Sequence, residues 1–237
     1  MDKRFLRAEA VLGSSAMEVL RGSHVAVLGL GGVGSWCAEA LARTGVGAIT
    51  VMDEDTVAET NINRQSLALS STLGQPKAEL MAARIRDIAP DCAVTAIVGR
   101  YEAERRDAFF SSHYDFIADA IDLVACKLDL ICSAMERGIP IISALGTGNK
   151  LDATLLRVCD ISKTEGDPLA RVIRKELRAR GVRHHTVVFS PEHAVPAAQT
   201  ETPPPGRRSV PGSLVWVPAS AGMLMCQHIV TQLIGNE

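Results

Sequence analysis

The chemistry available to this chain begins at Gly29-Leu30-Gly31-Gly32-Val33-Gly34. An apolar run, Val25 to Leu28, enters this turn, and a helix-compatible segment to about Arg43 leaves it. A second apolar run, Ala48 to Met52, then ends at Asp53. That order is a βαβ unit in which Gly29 permits a tight turn, Gly31 lets the backbone approach a phosphate, and Gly34 lets helix and strand close on each other. The helix opening there turns unpaired N–H groups and the positive end of its dipole toward an anion. Asp53 lies nineteen residues beyond Gly34, near where an acid meets a ribose hydroxyl in such folds. A glycine turn that merely joins two elements would leave similar letters, so the charged residues downstream carry the decision.

A long polar segment follows, holding Asn61, Asn63, Arg64 and Gln65. Loops of this length are often functional. Pro76 and Lys77 open an amphipathic helix that ends at Pro90, and a strand over 93–98 and a helical patch over 102–110 come next. A buried strand over 114–120 leads to Asp119 and Asp122, a helix runs from about Leu123 to Arg137, and a fifth strand over 139–143 runs out into Gly146-Thr147-Gly148-Asn149. Strands alternating with helices imply a parallel sheet with right-handed crossovers, whose ligands sit at the carboxyl ends of the strands. The glycine turn, Asp53, Asp119, Asp122 and residues 146–149 all fall at such ends. A dinucleotide dehydrogenase has no need of an arginine and a lysine at these points, whereas a nucleoside triphosphate brings charge for them to meet. Asn61, Arg64 and Lys77 suit the β and γ phosphates, and Asp122 suits Mg²⁺.

Further elements frame this site. Residues 4–20 read as helical, with Phe5, Ala8, Val11 and Leu12 on one face and Arg4 and Arg7 as surface charges. Beyond Leu151 we expect a strand over 154–161, a helix over 168–180, strands over 186–190 and 213–217, and an apolar closing helix over 219–234. Residues 191–211 are too rich in proline and polar residues to form a core, and read as a mobile loop. The fold class is therefore α/β: a Rossmann-like, doubly wound, mainly parallel sheet, extended by C-terminal antiparallel strands and the closing helix.

The chain of 237 residues, 47% hydrophobic and 22% charged, is an ordinary globular composition. Its net charge of −2 gives no global attraction to nucleic acid but leaves room for a local basic patch. Such a patch is offered by Arg171, Arg174, Lys175, Arg178, Arg180, Arg183, His184, His185, Arg207 and Arg208. The six cysteines are scattered without a CxxC pair, which argues against a zinc site or a redox dithiol and for buried thiols. The N-terminus lacks the apolar core of a signal peptide, and the closing helix is too short and polar to span a bilayer. We expect a cytoplasmic protein.

The segments GLGGVGSW, VMDEDTV, NINRQ, GQPKAE and DAID together resemble the ubiquitin-activating-enzyme-like superfamily of adenylyltransferases. The resemblance implies one adenylation domain over 1–237, with N-terminal helices in 1–22, a nucleotide-binding core in 23–150 and a substrate and dimer subdomain in 151–237. It implies ATP and Mg²⁺, attack of a carboxylate on the α-phosphate, and an acyl-adenylate with pyrophosphate released. Carried onto this sequence, Gly29, Gly31, Gly32 and Gly34 surround the phosphates and Asp53 holds the ribose. Asn61, Arg64 and Lys77 meet the triphosphate, Asp122 meets the metal, and Asp55, Gln65 and Asp119 join the nucleotide site. Arg7 matches an arginine inserted into the partner's ATP site of a homodimer. The pieces RFLRAEAVLG, DAIDLVACK, SALGTGNKLD and DISKTEGDPLARVIRKELR most resemble the tRNA threonylcarbamoyladenosine dehydratase branch, which cyclises a group on adenosine 37 in the anticodon stem-loop of tRNA. The branch also admits a cysteine desulfurase or sulfur-acceptor partner. Activators of ubiquitin-like sulfur carriers share the ATP site, but the paired zinc cysteines typical of them are absent here. An NAD-dependent oxidoreductase or a nucleotide-sensing module is the reading from another class, and the NINRQ and GQPK segments speak against it.

Overall fold

Each apolar run of the first 150 residues becomes a strand, and the runs stack into one seven-stranded sheet in a computed structural model that describes residues 2–198 and 210–235. The strands are β1 (His24–Leu28), β2 (Ala48–Asp53), β3 (Ala93–Val98), β4 (Phe116–Asp119), β5 (Ile141–Ala144), β6 (Arg157–Asp160) and β7 (Thr186–Phe189). Their order across the sheet is β3-β2-β1-β4-β5-β7-β6. All neighbours are parallel except β6 and β7, which supply the expected C-terminal antiparallel pairing. In register, Leu28 stands beside both Met52 and Asp119, and Asp119 beside Ser143, so four strands deliver their carboxyl ends to one line.

Helices cover both faces: α1 (Leu6–Leu12), α2 (Ser14–Gly22), α3 (Gly34–Thr44), α4 (Lys77–Ile88), α5 (Arg106–Phe109), α6 (Val124–Glu136), α7 (Pro168–Ala179) and α8 (Trp216–Leu233). Side chains alternate along β1, so Val25 and Val27 enter the core shared with α2, α3, α4 and α8. Ala26 and Leu28 enter the core shared with α5, α6 and α7. Glu39 on α3 ties the first layer together by accepting from Arg84 of α4 and pairing with Arg43. Asp167 caps α7, with Pro168 at its first position, where a missing N–H costs nothing.

Several expectations need correction. The N-terminal helical stretch is broken at Gly13 (φ 86°) into α1 and α2, and the break leaves Val11 84% exposed rather than on the buried face. Residues 213–217 form no strand. Val215 already has helical dihedrals and α8 begins at Trp216, which places Pro218 in a first helical turn, where it is tolerated, rather than in a ladder, where it lacks a donor. Residues 191–198 and 210–214 are irregular, yet hydrogen bonds anchor them. The remainder of the expected mobile loop lies outside the described residues. Of the cysteines, Cys37, Cys92 and Cys226 are buried and the other three half-buried, and all six are free. Among the described residues, no helix is long and apolar enough to cross a membrane.

Candidate active site

The chain leaves β1 toward β2 and β3 on one side, then returns to place β4 on the other. In doubly wound sheets the ligand crevice lies at such a switch of direction, here at the carboxyl ends of β1 and β4. The glycine turn lines it. Gly29 has φ 85°, and a Cβ there would come within 2.5 Å of the Ala120 carbonyl oxygen. A Cβ on Gly34 would collide with the Gly29 carbonyl oxygen. Both positions therefore require glycine. Gly31 is different: a Cβ there would come no closer than 4.0 Å to Gln65 Nε2, which leaves this side of the backbone open to an incoming phosphate. Gly32 is expected beside the phosphates, but a Cβ there would meet Pro218 at 3.1 Å and the Arg64 stem at 3.5 Å. Its small size brings the first turn of α8 and the Arg64 side chain onto the turn.

Asp53 ends β2 beneath the same turn. Its Oδ2 accepts the Leu30 N–H at 2.5 Å and its Oδ1 the Asp55 N–H at 2.9 Å. Burial pushes this carboxyl above its usual pKa, opposed by the Leu30 hydrogen bond and the charge of Lys77. Asp53 thus braces the phosphate turn, and each oxygen keeps a second acceptor direction. Lys77 is the first residue of α4 and is buried, with Nζ 2.9 Å from Asp55 Oδ2. A cation at a helix N-terminus opposes the dipole, so Asp55 balances a charge that the helix alone disfavours.

Residues 58–65 coil so that Asn61 Oδ1 accepts the Ala58 N–H, while the Asn61 carbonyl takes the N–H groups of Arg64 and Gln65. Arg64 Nη1 donates to the Thr60 carbonyl at 2.7 Å and to Asn63 Oδ1 at 2.9 Å. Two residues of α3 hold this coil against the glycine turn: Trp36 Nε1 donates to the Arg64 carbonyl at 2.9 Å, and Ser35 Oγ accepts the Ser66 N–H at 3.1 Å. Gln65 is 6% exposed, and its Oε1 has no hydrogen-bond partner among the described residues. A buried amide oxygen left without a partner beside an open glycine backbone is suited to a polar ligand that donates to it.

Asp119 is expected at the nucleotide, but it is fully buried and its oxygens are engaged. Oδ2 accepts from Lys127 Nζ at 2.7 Å and Ser143 Oγ at 2.6 Å, and Oδ1 takes the Ile121 N–H at 3.0 Å. It therefore shapes the loop that carries Asp122, which is exposed at the mouth of the crevice. Ser143 also meets His185 Nε2 at 2.8 Å. Burial, reinforced by the Lys127 charge, lowers the His185 pKa to about 3. The unfolded chain binds this proton near its ordinary value of about 6.5, so stability is lost as pH falls from there toward the folded value. Between about pH 7.5 and 5 this one site removes about 2 kcal/mol. Urea melts at both values should show this loss in the native protein, and a His185→Gln protein should lose correspondingly less. Equal losses would contradict the assignment.

Arg7 is not brought to this chain's crevice. Phe5, just before α1, contacts Gly45, which precedes β2 at the opposite end of the strands, and Arg7 is exposed. Ser35, Trp36, Lys127 and Ser143 lie inside the segments that carry the resemblance without a role being assigned to them there, and His185, read with the basic patch, is instead a buried supporting residue. Lys127 is the most visible of them, a charge at the same helical spacing as the buried Leu130, Ile131 and Ala134.

A glycine turn at the switch point of the sheet, flanked by an arginine and an acid, places this chain among doubly wound α/β proteins, in which ligands bind at such a point. The chain belongs to the ThiF family, which it matches over residues 4–237. It is 42% identical over 243 residues to the tRNA threonylcarbamoyladenosine dehydratase of Bacillus subtilis, an alignment covering 99% of this chain and 96% of that protein. It superposes with a TM-score of 0.89 and 36% identity on the crystal structure of Escherichia coli tRNA N6-threonylcarbamoyladenosine dehydratase in complex with ATP, covering 98% of this chain and 94% of that one. The Escherichia coli molybdopterin-synthase adenylyltransferase, from the sulfur-carrier side of the resemblance, is 30% identical over 67% of this chain and 61% of that protein.

Proposed function

We propose that this protein carries out the reaction for which its tRNA-modifying relatives are named, using ATP to activate the threonylcarbamoyl carboxylate on a tRNA adenosine and then closing it to a ring. The observation that carries the reading is the open Gly31 backbone with the unsatisfied Gln65 amide beside it and Arg64 at its rim. A carboxylate is a poor electrophile. Its oxygen attacks the α-phosphorus, the bond to pyrophosphate breaks, and the mixed anhydride then yields to a nitrogen of the same group with AMP as leaving group. The atoms of one water are lost from the nucleoside. Both reacting groups sit on one bound molecule, so closure gains from proximity.

Backbone amides of the glycine turn and Arg64 hold the phosphates, Asp53 keeps the turn in shape, and Lys77 with Asp55 fixes the start of α4. Mg²⁺, when bound, neutralises phosphate charge, and Asp122 is the residue that would hold it. The donor set fits that ion. Asp119 is fully buried and engaged with Lys127, Ser143 and the Ile121 N–H, and among the described residues no group of three or more acidic, histidine or cysteine side chains forms a metal cage. Mg²⁺ characteristically takes one or two carboxylates plus substrate phosphates. Incubation with ATP, Mg²⁺ and threonylcarbamoylated tRNA, followed by nucleoside mass analysis, should show loss of one water. Unchanged nucleoside, with a sulfur-carrier protein adenylated instead, would overturn the reading.

The RNA-facing surface is narrower than the sequence implied. Arg174 is bound to Thr164, Arg180 to Glu176, His184 to Asp160, and His185 is buried. Arg207 and Arg208 lie outside the described residues. Arg171, Lys175 and Arg178 remain exposed on α7, at helical spacing on one face, and Arg183 is exposed just beyond the helix. Substituting the three on α7 with glutamate should weaken tRNA binding, and the slope of log affinity against log salt should fall by about one for each phosphate released from the interface. An unchanged slope would remove this face from the interface. In the same reading the protein is a homodimer whose Arg7 serves the partner's crevice. An Arg7→Ala protein should then be depressed in adenylation, and mixing it with an Arg64→Ala protein should restore part of the activity through hybrid dimers. No recovery on mixing would count against it.

A further inference from the structure

Asn149 is the one non-glycine residue with positive φ, at 56°, among the described residues, and its hydrogen bonds explain why the strain is kept. The residue follows β5 and holds two separate stretches of chain. Its N–H donates to the Gly212 carbonyl at 2.8 Å, its Oδ1 accepts the Gly212 N–H at 2.6 Å, and its carbonyl takes the Val195 N–H at 2.8 Å. The residues that follow extend the grip on both sides. Lys150 Nζ donates to the Ser190 carbonyl at 2.7 Å, and the Glu192 carboxylate accepts the N–H groups of Leu151 and Asp152 at 2.9 and 3.1 Å. On the far side, Trp216 Nε1 donates to the Leu151 carbonyl at 2.7 Å.

The held stretches reach the crevice. Asn63, next to Arg64, donates its amide to the Ser213 carbonyl at 2.9 Å, and Pro218 lies against Gly32. Residues 212–218 therefore run from the end of β5, past the coil that bears Arg64, to the glycine turn itself. Nothing in binding a nucleotide to that turn requires this crossing. Its position at the mouth suits the second substrate, the bulky carrier of the carboxylate.

We propose that Asn149 is a positioning residue that clasps residues 192–195 and 212–216 across the mouth of the crevice, setting the geometry in which the tRNA-borne carboxylate reaches the bound ATP. This rests on the function proposed above. Asn149→Gly keeps the left-handed backbone without strain and removes only the side-chain acceptor, Glu192→Ala releases the other stretch, and Asn149→Asp retains an acceptor for Gly212. Amide exchange of the peptide covering 210–216 should quicken in Asn149→Gly and that of the peptide covering 192–198 in Glu192→Ala, and neither should change in Asn149→Asp. KM for threonylcarbamoylated tRNA should rise about three- to tenfold in the same two, the range expected for losing a hydrogen bond or two, with Kd for ATP unchanged. Unchanged exchange would overturn the clasp. Quicker exchange with unchanged KM, or with ATP binding weakened equally, would overturn its role toward the second substrate. If the wild-type protein forms no cyclised nucleoside, the proposed function and the substrate role fall together, and the exchange measurement still decides the clasp.

Discussion

Replacing Arg64 with alanine is expected to lower ATP–pyrophosphate exchange by about two to three orders of magnitude, the usual cost of deleting one preorganised charge donor from a transition state. The fold should survive the change. Trp36 is held by the Arg64 carbonyl, which any residue supplies, and the guanidinium spends only Nη1 on Thr60 and Asn63. Its Nη2 and Nε make no hydrogen bond among the described residues, so the fork that suits a phosphate is still available. Arg64→Lys keeps the charge but not the two-pronged geometry, and should fall between the alanine variant and wild type. Asp122→Asn removes an exposed carboxylate from the loop after β4 and should cost a similar factor, relieved in part by raising Mg²⁺. Exchange within about twofold of wild type in Arg64→Ala, with an unchanged thermal transition, would show that the phosphates are held elsewhere; a factor that small lies well below what removal of a charged donor gives.

How much of this could be read beforehand differs between the two halves of the site. Gly29 and Gly34 were legible because no other residue fits their backbone, and a constraint that strict leaves a mark in sequence. The crossing order was legible for a similar reason, since apolar strands alternating with helices admit few connections. Gly32 and Asp119 have packing and hydrogen-bond partners that the motif does not reveal. Both lie in the expected motif, but motif membership does not say whether a residue faces the ligand or the protein behind it. Asp119 answers to Lys127 and Ser143, eight and twenty-four positions away, and no local period links them. The clasp at Asn149 was hidden in the same way. It joins residues up to 65 positions apart, through backbone groups that every sequence possesses. The stretch over 213–217 shows the opposite failure. Its run of β-favouring apolar residues suits a strand, but the edge of the sheet is already taken by β6, and a proline at position 218 suits a helix start.

Lys127→Met is the other substitution with a large expected effect, and it acts on the fold first. The ammonium is completely buried, as is the Asp119 carboxylate it meets, and it also donates to the Ala144 carbonyl at 3.1 Å. Methionine fills a similar volume but leaves a carboxylate inside the protein without a counter-ion, a loss of about 3–5 kcal/mol. For a chain of this size that corresponds to a fall in Tm of about 10 °C. The double variant Asp119→Asn with Lys127→Met removes both charges, and the amide that replaces the Asp119 carboxylate would still accept the Ile121 N–H. It should therefore be more stable than Lys127→Met alone, although it has lost one more native group. Additive losses in the two single variants and the pair would show that the two charges do not depend on each other. The pair also joins the carboxyl ends of β4 and β5, and so the Asp122 loop to the loop that begins at Leu145. Even at a temperature where the double variant is fully folded, its pyrophosphate exchange should fall, because the Ile121 turn that presents Asp122 is then held by a neutral amide instead of a charge-assisted bond.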